Sequence, residues 1–228
     1  KPYNQSSYAE RIMNSWASEV IAEPRDMQKT VDESIIDGVM SGLIRQNDTA
    51  EERFVPKLIS NQPGSTMGDA IREELKGSES FDISVAFVSE NALKSMYQAF
   101  VDHAKKSGKR NRIITSTKNY FNSPKAFKEL MKLQRDANVE VLIWEHGDSG
   151  ESGGTIAQDQ PFHPKGYLFT RRMEEGRAYY NLYVGSSNLT SFALQNQREW
   201  NLRVSSTSEA QLIQQVKEEL ADQVRQSV

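Results

Sequence analysis

The chain predicts an α/β fold: a largely parallel β-sheet flanked by helices, with a helical extension before it. Three features of the sequence carry that expectation. From Phe81 to Trp144, apolar runs of strand length alternate with segments of helical period. After Pro161 three strand-like runs follow one another with no helix between them. Before Gln46, apolar residues recur only at helical spacing. A chain of 228 residues is long enough for one such domain with a sizeable core.

In the extension, Ile12, Trp16 and Val20 form one apolar stripe, and Val31, Ile35, Val39 and Leu43 form a second, with Pro24 between them. A helical extension over 1–50 and a domain over 51–228 are therefore expected. "FVPKLISNQPGST" reads as an irregular or short extended connector, and "MGDAIREELKGSES" as a helix stopping at Gly77. "FDISVAFV" (Phe81–Val88) is a buried-strand candidate, followed by the helix "ENALKSMYQAFVDHAKK", which Gly108 ends. "NRIITST" is the next strand, and "SPKAFKELMKLQRD" a helix with Ser123 as N-cap and Pro124 in its first turn. "VEVLIW" is the third strand. Strand–helix–strand alternation of this kind implies parallel pairing through helical crossovers. The sixteen polar, glycine-rich residues Glu145–Gln160 lack periodicity, as functional loops of that length do. "FHPKGYLFT" and "AYYNLYVGS" are joined by "RRMEEGR", a hairpin-turn signal, and "EWNLRVS" completes the strands. A last helix, "SEAQLIQQVKEELADQV", has Ser208 as its expected N-cap.

Composition narrows the chemistry. The chain has no cysteine, which excludes disulfides, zinc–thiolate sites and thiol nucleophiles. No apolar run approaches a membrane span, and the N-terminus lacks the apolar core of a signal peptide, so a soluble cytoplasmic protein without membrane partners is expected. The first residue is not Met and the last segment stops inside a helical pattern, which points to a fragment or a processed piece. The net charge is −3, unsuited to gripping nucleic acid over the whole surface. Its distribution is uneven: residues 1–80 hold 9 basic and 14 acidic groups, net −5; 81–180 hold 15 and 12, net +3; 181–228 hold 4 and 5, net −1. A basic middle on an acidic chain fits a local phosphate-binding groove.

The motif that carries chemistry is "PFHPKGYLFT". In a strand, His163 and Lys165 project to one face, roughly 7 Å apart at the backbone. Two nitrogen-bearing side chains there suit an anion with several oxygens. Twenty residues after Lys165 comes "GSSNLT", with Gly185, Ser186 and Asn188 at a strand end, and eleven residues after Asn188 comes Glu199, opening "EWN".

This set of His-x-Lys, Gly-Ser-x-Asn and a trailing Glu resembles the phospholipase D (PLD) superfamily, whose members cut phosphodiester bonds without metal. From about Phe54 to Ser205 the chain looks like the single-motif nuclease-like domain fused ahead of bacterial DEAD/DEAH-box helicases, through "FDISVAFVSENAL", "FHPKGYLF", "YVGSSNLT" and "EWN". The resemblance implies a three-layer α/β/α domain with a mixed sheet. It also implies a nuclease acting on DNA without a cofactor, a homodimer, and a helicase domain outside this chain. Under it, His163 attacks phosphorus to give a phosphohistidine, and Lys165 and Asn188 hold the non-bridging oxygens. Gly185 and Ser186 belong to substrate binding, Ser186 through a hydroxyl or backbone donor. Glu199 accepts a proton from the other histidine nitrogen.

A phosphodiester is anionic and resists attack, so such an enzyme must supply positive charge, a nucleophile and a proton. The family uses two histidines, and this chain has one convincing set. "HAK", His103 to Lys105, lies in a helical pattern where i and i+2 diverge by about 200°, and no Gly-Ser-x-Asn follows it. A symmetric homodimer bringing two copies of His163 to one phosphate is the remaining route. The family's supporting Asp is replaced here by Thr170. That change favours a competing reading, a catalytically silent module that binds nucleic acid or dimerises a parent protein. A true phospholipase is a third, poorer reading, since no membrane-binding amphipathic stretch is present. Elsewhere, His103 and His146 read as surface residues, Arg171 and Arg172 as a solvated hairpin tip, and Trp144 and Trp200 as core. Lys118, Lys125, Lys128 and Lys132 read as a solvated helix face.

Overall fold

In the computed structural model, residues 52–117, 122–144, 161–174 and 176–228 are described. The stripes expected before residue 46, Lys118 and the 145–160 loop with His146 lie outside the described residues. Within the compact unit Pro56–Val228 the chain runs β1 (Lys57–Ile59), α1 (Met67–Gly77), β2 (Ser80–Val85), α2 (Glu90–Lys106), β3 (Asn111–Ser116), α3 (Pro124–Asp136), β4 (Val139–Trp144), β5 (Lys165–Arg172), β6 (Ala178–Gly185), β7 (Asn201–Thr207) and α4 (Gln211–Arg225). The seven strands form one sheet in the order β1-β7-β6-β5-β2-β3-β4.

The expectation of a largely parallel sheet is corrected. Only β2–β3 and β3–β4 pair in parallel, the two steps made through the helical crossovers α2 and α3. The pairs β2–β5, β5–β6, β6–β7 and β1–β7 are antiparallel. A strand that follows its neighbour through a short turn must reverse direction, and β5 enters beside β2 in the opposite sense. The β5–β6 turn is closed by Met173 N–H donating to Arg177 O at 2.8 Å, with Gly176 at φ +89°.

Side-chain alternation splits the core into two layers. Phe81, Ile83 and Val85 of β2, with Tyr167 and Phe169 of β5, face α1, α2 and α3. Ile114, Leu142, Leu168 and Leu182 face α4 through Ile213 and Leu220. Thr66, Ser89 and Ser123 cap the first three helices, each accepting a backbone N–H at 3.0–3.2 Å. Ser208 does not cap α4, which starts after Ala210 without a side-chain cap, while the Ser208 hydroxyl donates to Glu209.

Two surface expectations are corrected. His103 is 2% exposed. It continues the buried stripe Ala92, Leu93, Met96, Phe100 of α2, and its ring nitrogens stand 3.0 Å from Leu75 O and 3.1 Å from Asn111 Oδ1. Arg171 and Arg172 are not a free hairpin tip. Arg171 donates to the buried Glu74 carboxylate at 2.9 Å, which also accepts from Asn181 and Tyr183 at 2.7 Å. Arg172 binds Glu79. Both lie at the far end of β5 from Lys165, roughly 20 Å away at strand rise.

Candidate functional site

The site forms where the C-terminal ends of β2 and β6 meet the N-terminal ends of β5 and β7, at the register positions Val85↔Lys165, Gly166↔Val184 and Gly185↔Asn201. His163 and Lys165 do not both lie in a strand, as the sequence suggested. Pro164 has no N–H to give a ladder, so β5 starts at Lys165 and His163 sits in the lead-in. Their side chains still meet: Lys165 Nζ is 2.9 Å from His163 Nδ1, 3.3 Å from Nε2 and 3.1 Å from His163 O. The lead-in is fixed on both sides of the histidine. Phe162 stacks on Trp144 with ring centres 5.2 Å apart, and Pro164 O accepts Ala86 N–H at 3.0 Å. Trp144 is thus half-buried at the sheet's last strand rather than in the core.

Phe87 holds the imidazole edge-on, with ring centres 5.5 Å apart at 75°. The sequence reading placed this residue inside a strand reaching Val88, but β2 stops at Val85. Beyond it, side chains replace the ladder. Phe87 N–H donates to Asn188 Oδ1 at 3.1 Å, and Val88 N–H to Asn122 Oδ1 at 2.8 Å. Asn122 in turn donates to Ala86 O, Ser116 O and Thr115 Oγ1 within 3.1 Å. Phe87 and Asn122 are site-shaping residues that motif reading missed. The visible signal for Asn122 was a lone amide directly before the N-cap Ser123.

Gly185, Ser186, Asn188 and Glu199 come together on the other side of Lys165. A side chain on Gly185 would collide with Trp200 O and stand within 2.7 Å of Asn201 Cα, so the β6–β7 approach requires glycine there. Ser186 N–H donates to Trp200 O at 3.1 Å, its hydroxyl donates to the Glu199 carboxylate, and Trp200 N–H donates back to Ser186 Oγ at 3.1 Å. Glu199 is 8% exposed. Ser187, under the motif, is buried and bonded to Asn201 and to Ala193 O, and Tyr167 donates to Ser187 O at 2.9 Å. Trp200 is corrected from core to surface: it is 73% exposed.

Burial lowers the Lys165 ammonium below the usual lysine range, and the Glu199 carboxylate opposes that shift. Burial also drives the Tyr167 hydroxyl far above the usual tyrosine range, leaving it neutral and a donor. The site therefore offers an ammonium, an imidazole and the Asn188 amide, whose Oδ1 is already engaged and whose NH₂ can donate, while the Ser186 hydroxyl is held by Glu199. Donors of this kind suit a tetrahedral anion. Lys125, Lys128 and Lys132 are exposed on α3, as expected.

The family described as "Cardiolipin synthase, PLD-like domain" matches residues 71–223. Among solved structures, the chain is similar to NucT from Helicobacter pylori, with a TM-score of 0.52 and 16% identity over 76% of this chain and 97% of that one. It is also similar to Nuc from Salmonella typhimurium, described as a phospholipase D family member, with a TM-score of 0.51 and 13% identity over 76% and 95%. These are likenesses of fold. No curated protein matches the chain by sequence.

Proposed function

Because the chain belongs to the PLD-like domain family, we propose that it acts on phosphodiester bonds as a metal-independent nuclease on DNA, through a phosphohistidine. The observation that carries the reading is the meeting of His163 and Lys165 at 2.9 Å, with Asn188 and Ser186 following them in the sequence at family spacing. A ring nitrogen of His163 attacks phosphorus, a P–N bond forms, and the P–O bond to the leaving group breaks. Lys165 and the Asn188 NH₂ offset the charge on the non-bridging oxygens, and the Ser186 hydroxyl, over the strand end fixed by Gly185, becomes a further donor once Glu199 turns to the ring. Glu199 takes the proton of the other ring nitrogen. In the resting site its carboxylate accepts from Ser186, so reaching the ring is a step that substrate binding completes. The leaving oxygen takes its proton from a second histidine, the His163 of another copy in a symmetric dimer. Water then releases the phosphoryl group from the histidine.

In this reading the domain is one part of a longer helicase-containing cytoplasmic protein, a context that rests on the sequence motifs. Among the described residues no helix is long and apolar enough to cross a membrane. The second reading, a catalytically silent module that binds nucleic acid or dimerises its parent, is favoured by Thr170, which stands in β5 where the family carries Asp and offers Glu79 N–H only its backbone oxygen.

Cleavage of labelled single- and double-stranded DNA in EDTA, by the native chain and by His163→Ala, separates the two. Cleavage lost in the variant is the expected result. DNA binding that weakens steeply with salt, without product from either chain, would establish the silent module.

A further inference from the structure

Trp200 is the largest exposed apolar side chain among the described residues, and its backbone is fixed. Its N–H and C=O both bond Ser186, at 3.1 Å each. The segment leading to it is held as firmly: Asn61 Nδ2 donates to Ala193 O and Gln197 O at 2.7 Å, and Gln197 N–H donates to Phe192 O at 2.7 Å. Asn61 itself is anchored by Met67 N–H at 2.8 Å. The indole thus stands in water one residue from Glu199, on a support that loses little freedom when a ligand arrives. Its neighbours Gln195, Asn196, Gln197 and Arg198 are exposed, and Arg198 makes no ion pair among the described residues.

From this we infer that Trp200 is a stacking platform for an unpaired base of the strand bound at this site, so that the substrate is single-stranded nucleic acid. The inference rests on the phosphodiester reading of the site. Base–aromatic stacking tolerates any sequence and needs an open base face, which a duplex hides within its own stack. An exposed guanidinium and amides around the ring suit the sugar–phosphate chain on either side. A second copy of the chain is the other conceivable occupant, since Val184, Leu202 and Leu58 form an exposed row beside Trp200. One indole and three aliphatic side chains fall short of the roughly 800 Å² per partner that a stable interface buries, and the polar setting favours the strand.

The test is binding of labelled strands to His163→Ala, which holds without cutting, with and without Trp200→Ala or Trp200→Phe. DNA and RNA strands of one sequence, an all-abasic strand of the same length and a duplex are compared by fluorescence anisotropy. A base-bearing strand is expected to bind about 10-fold tighter than the abasic one. Trp200→Ala should remove that difference, Trp200→Phe should restore most of it, and abasic and duplex affinities should stay level. The DNA and RNA arms show which sugar the site accepts. Equal weakening on every ligand, or none, overturns the inference. So does a dimer that Trp200→Ala splits, by light scattering, while the strand preference survives, since the occupant is then a second copy. If the native chain cuts nothing in EDTA yet the Trp200-dependent preference persists, the catalytic reading fails and the platform stands.

Discussion

In the proposed reaction Lys165 brings the positive charge to the phosphate, and its protonation is set by two opposing influences. Partial burial favours loss of the proton, while the Glu199 carboxylate favours keeping it. Glu199→Gln keeps the shape and an acceptor for the Ser186 hydroxyl but removes the charge, so Lys165 should deprotonate at lower pH than in the native chain. A lysine serves as an anion clamp only when protonated, so function that depends on it is lost as pH rises through its pKa, and the variant should reach that loss earlier. Titration of ¹³Cε-labelled lysine by NMR reads this without requiring activity; an unchanged or higher midpoint would break the proposed coupling. The residue types and spacing of this set stood out in the sequence through their resemblance to the PLD motif. That Lys165 would reach both the ring and the backbone oxygen of His163 was not, since Pro164 ends the strand alternation on which the expectation rested.

Element ends decide the shape of the site more than element middles do. Between β2 and α2, Ala86, Phe87 and Val88 exchange hydrogen bonds with Asn122, Asn188, Thr115 and Pro164 in place of a full strand ladder. Asn122→Ala would leave the buried Val88 N–H and Ser116 O without that partner. Its expected cost is about 2–3 kcal/mol, read by urea unfolding. The same variant should loosen the Phe87 contact with the imidazole, lowering cleavage further than the stability change explains at temperatures where the chain is folded. Full activity together with lost stability would confine Asn122 to a structural role. Such amide clamps are invisible to periodicity because Asn122 and Val88 are 34 residues apart. Strand direction was legible only where a helix fills the crossover, as in β2–α2–β3–α3–β4. Residues 145–160 are long enough to deliver β5 to either edge or into the interior of the sheet in either sense, so the run of sequence could not show that β5 would lie between β2 and β6, antiparallel to both.

The whole molecule has one His163–Lys165 set and a proposed reaction that uses two histidines. His103 cannot supply the second, being buried at the base of α2 against Leu75 O and Asn111. If one composite site forms from two copies of His163, a dimer of one native and one His163→Ala chain has an attacking nitrogen or a proton donor but never both. Co-refolding native and variant chains in varied ratio therefore yields activity proportional to the square of the native fraction. An equal mixture should keep about one quarter of the activity of native chain alone at the same total concentration, because random pairing makes about one quarter native pairs. A chain that works alone would keep about half. Light scattering on the same mixtures establishes that every ratio is equally dimeric, so that the quadratic curve reports the sharing of a site and not a change in assembly. A linear curve on a proven dimer would mean that each copy completes its own reaction, with the leaving oxygen protonated by water or by another group of the same chain.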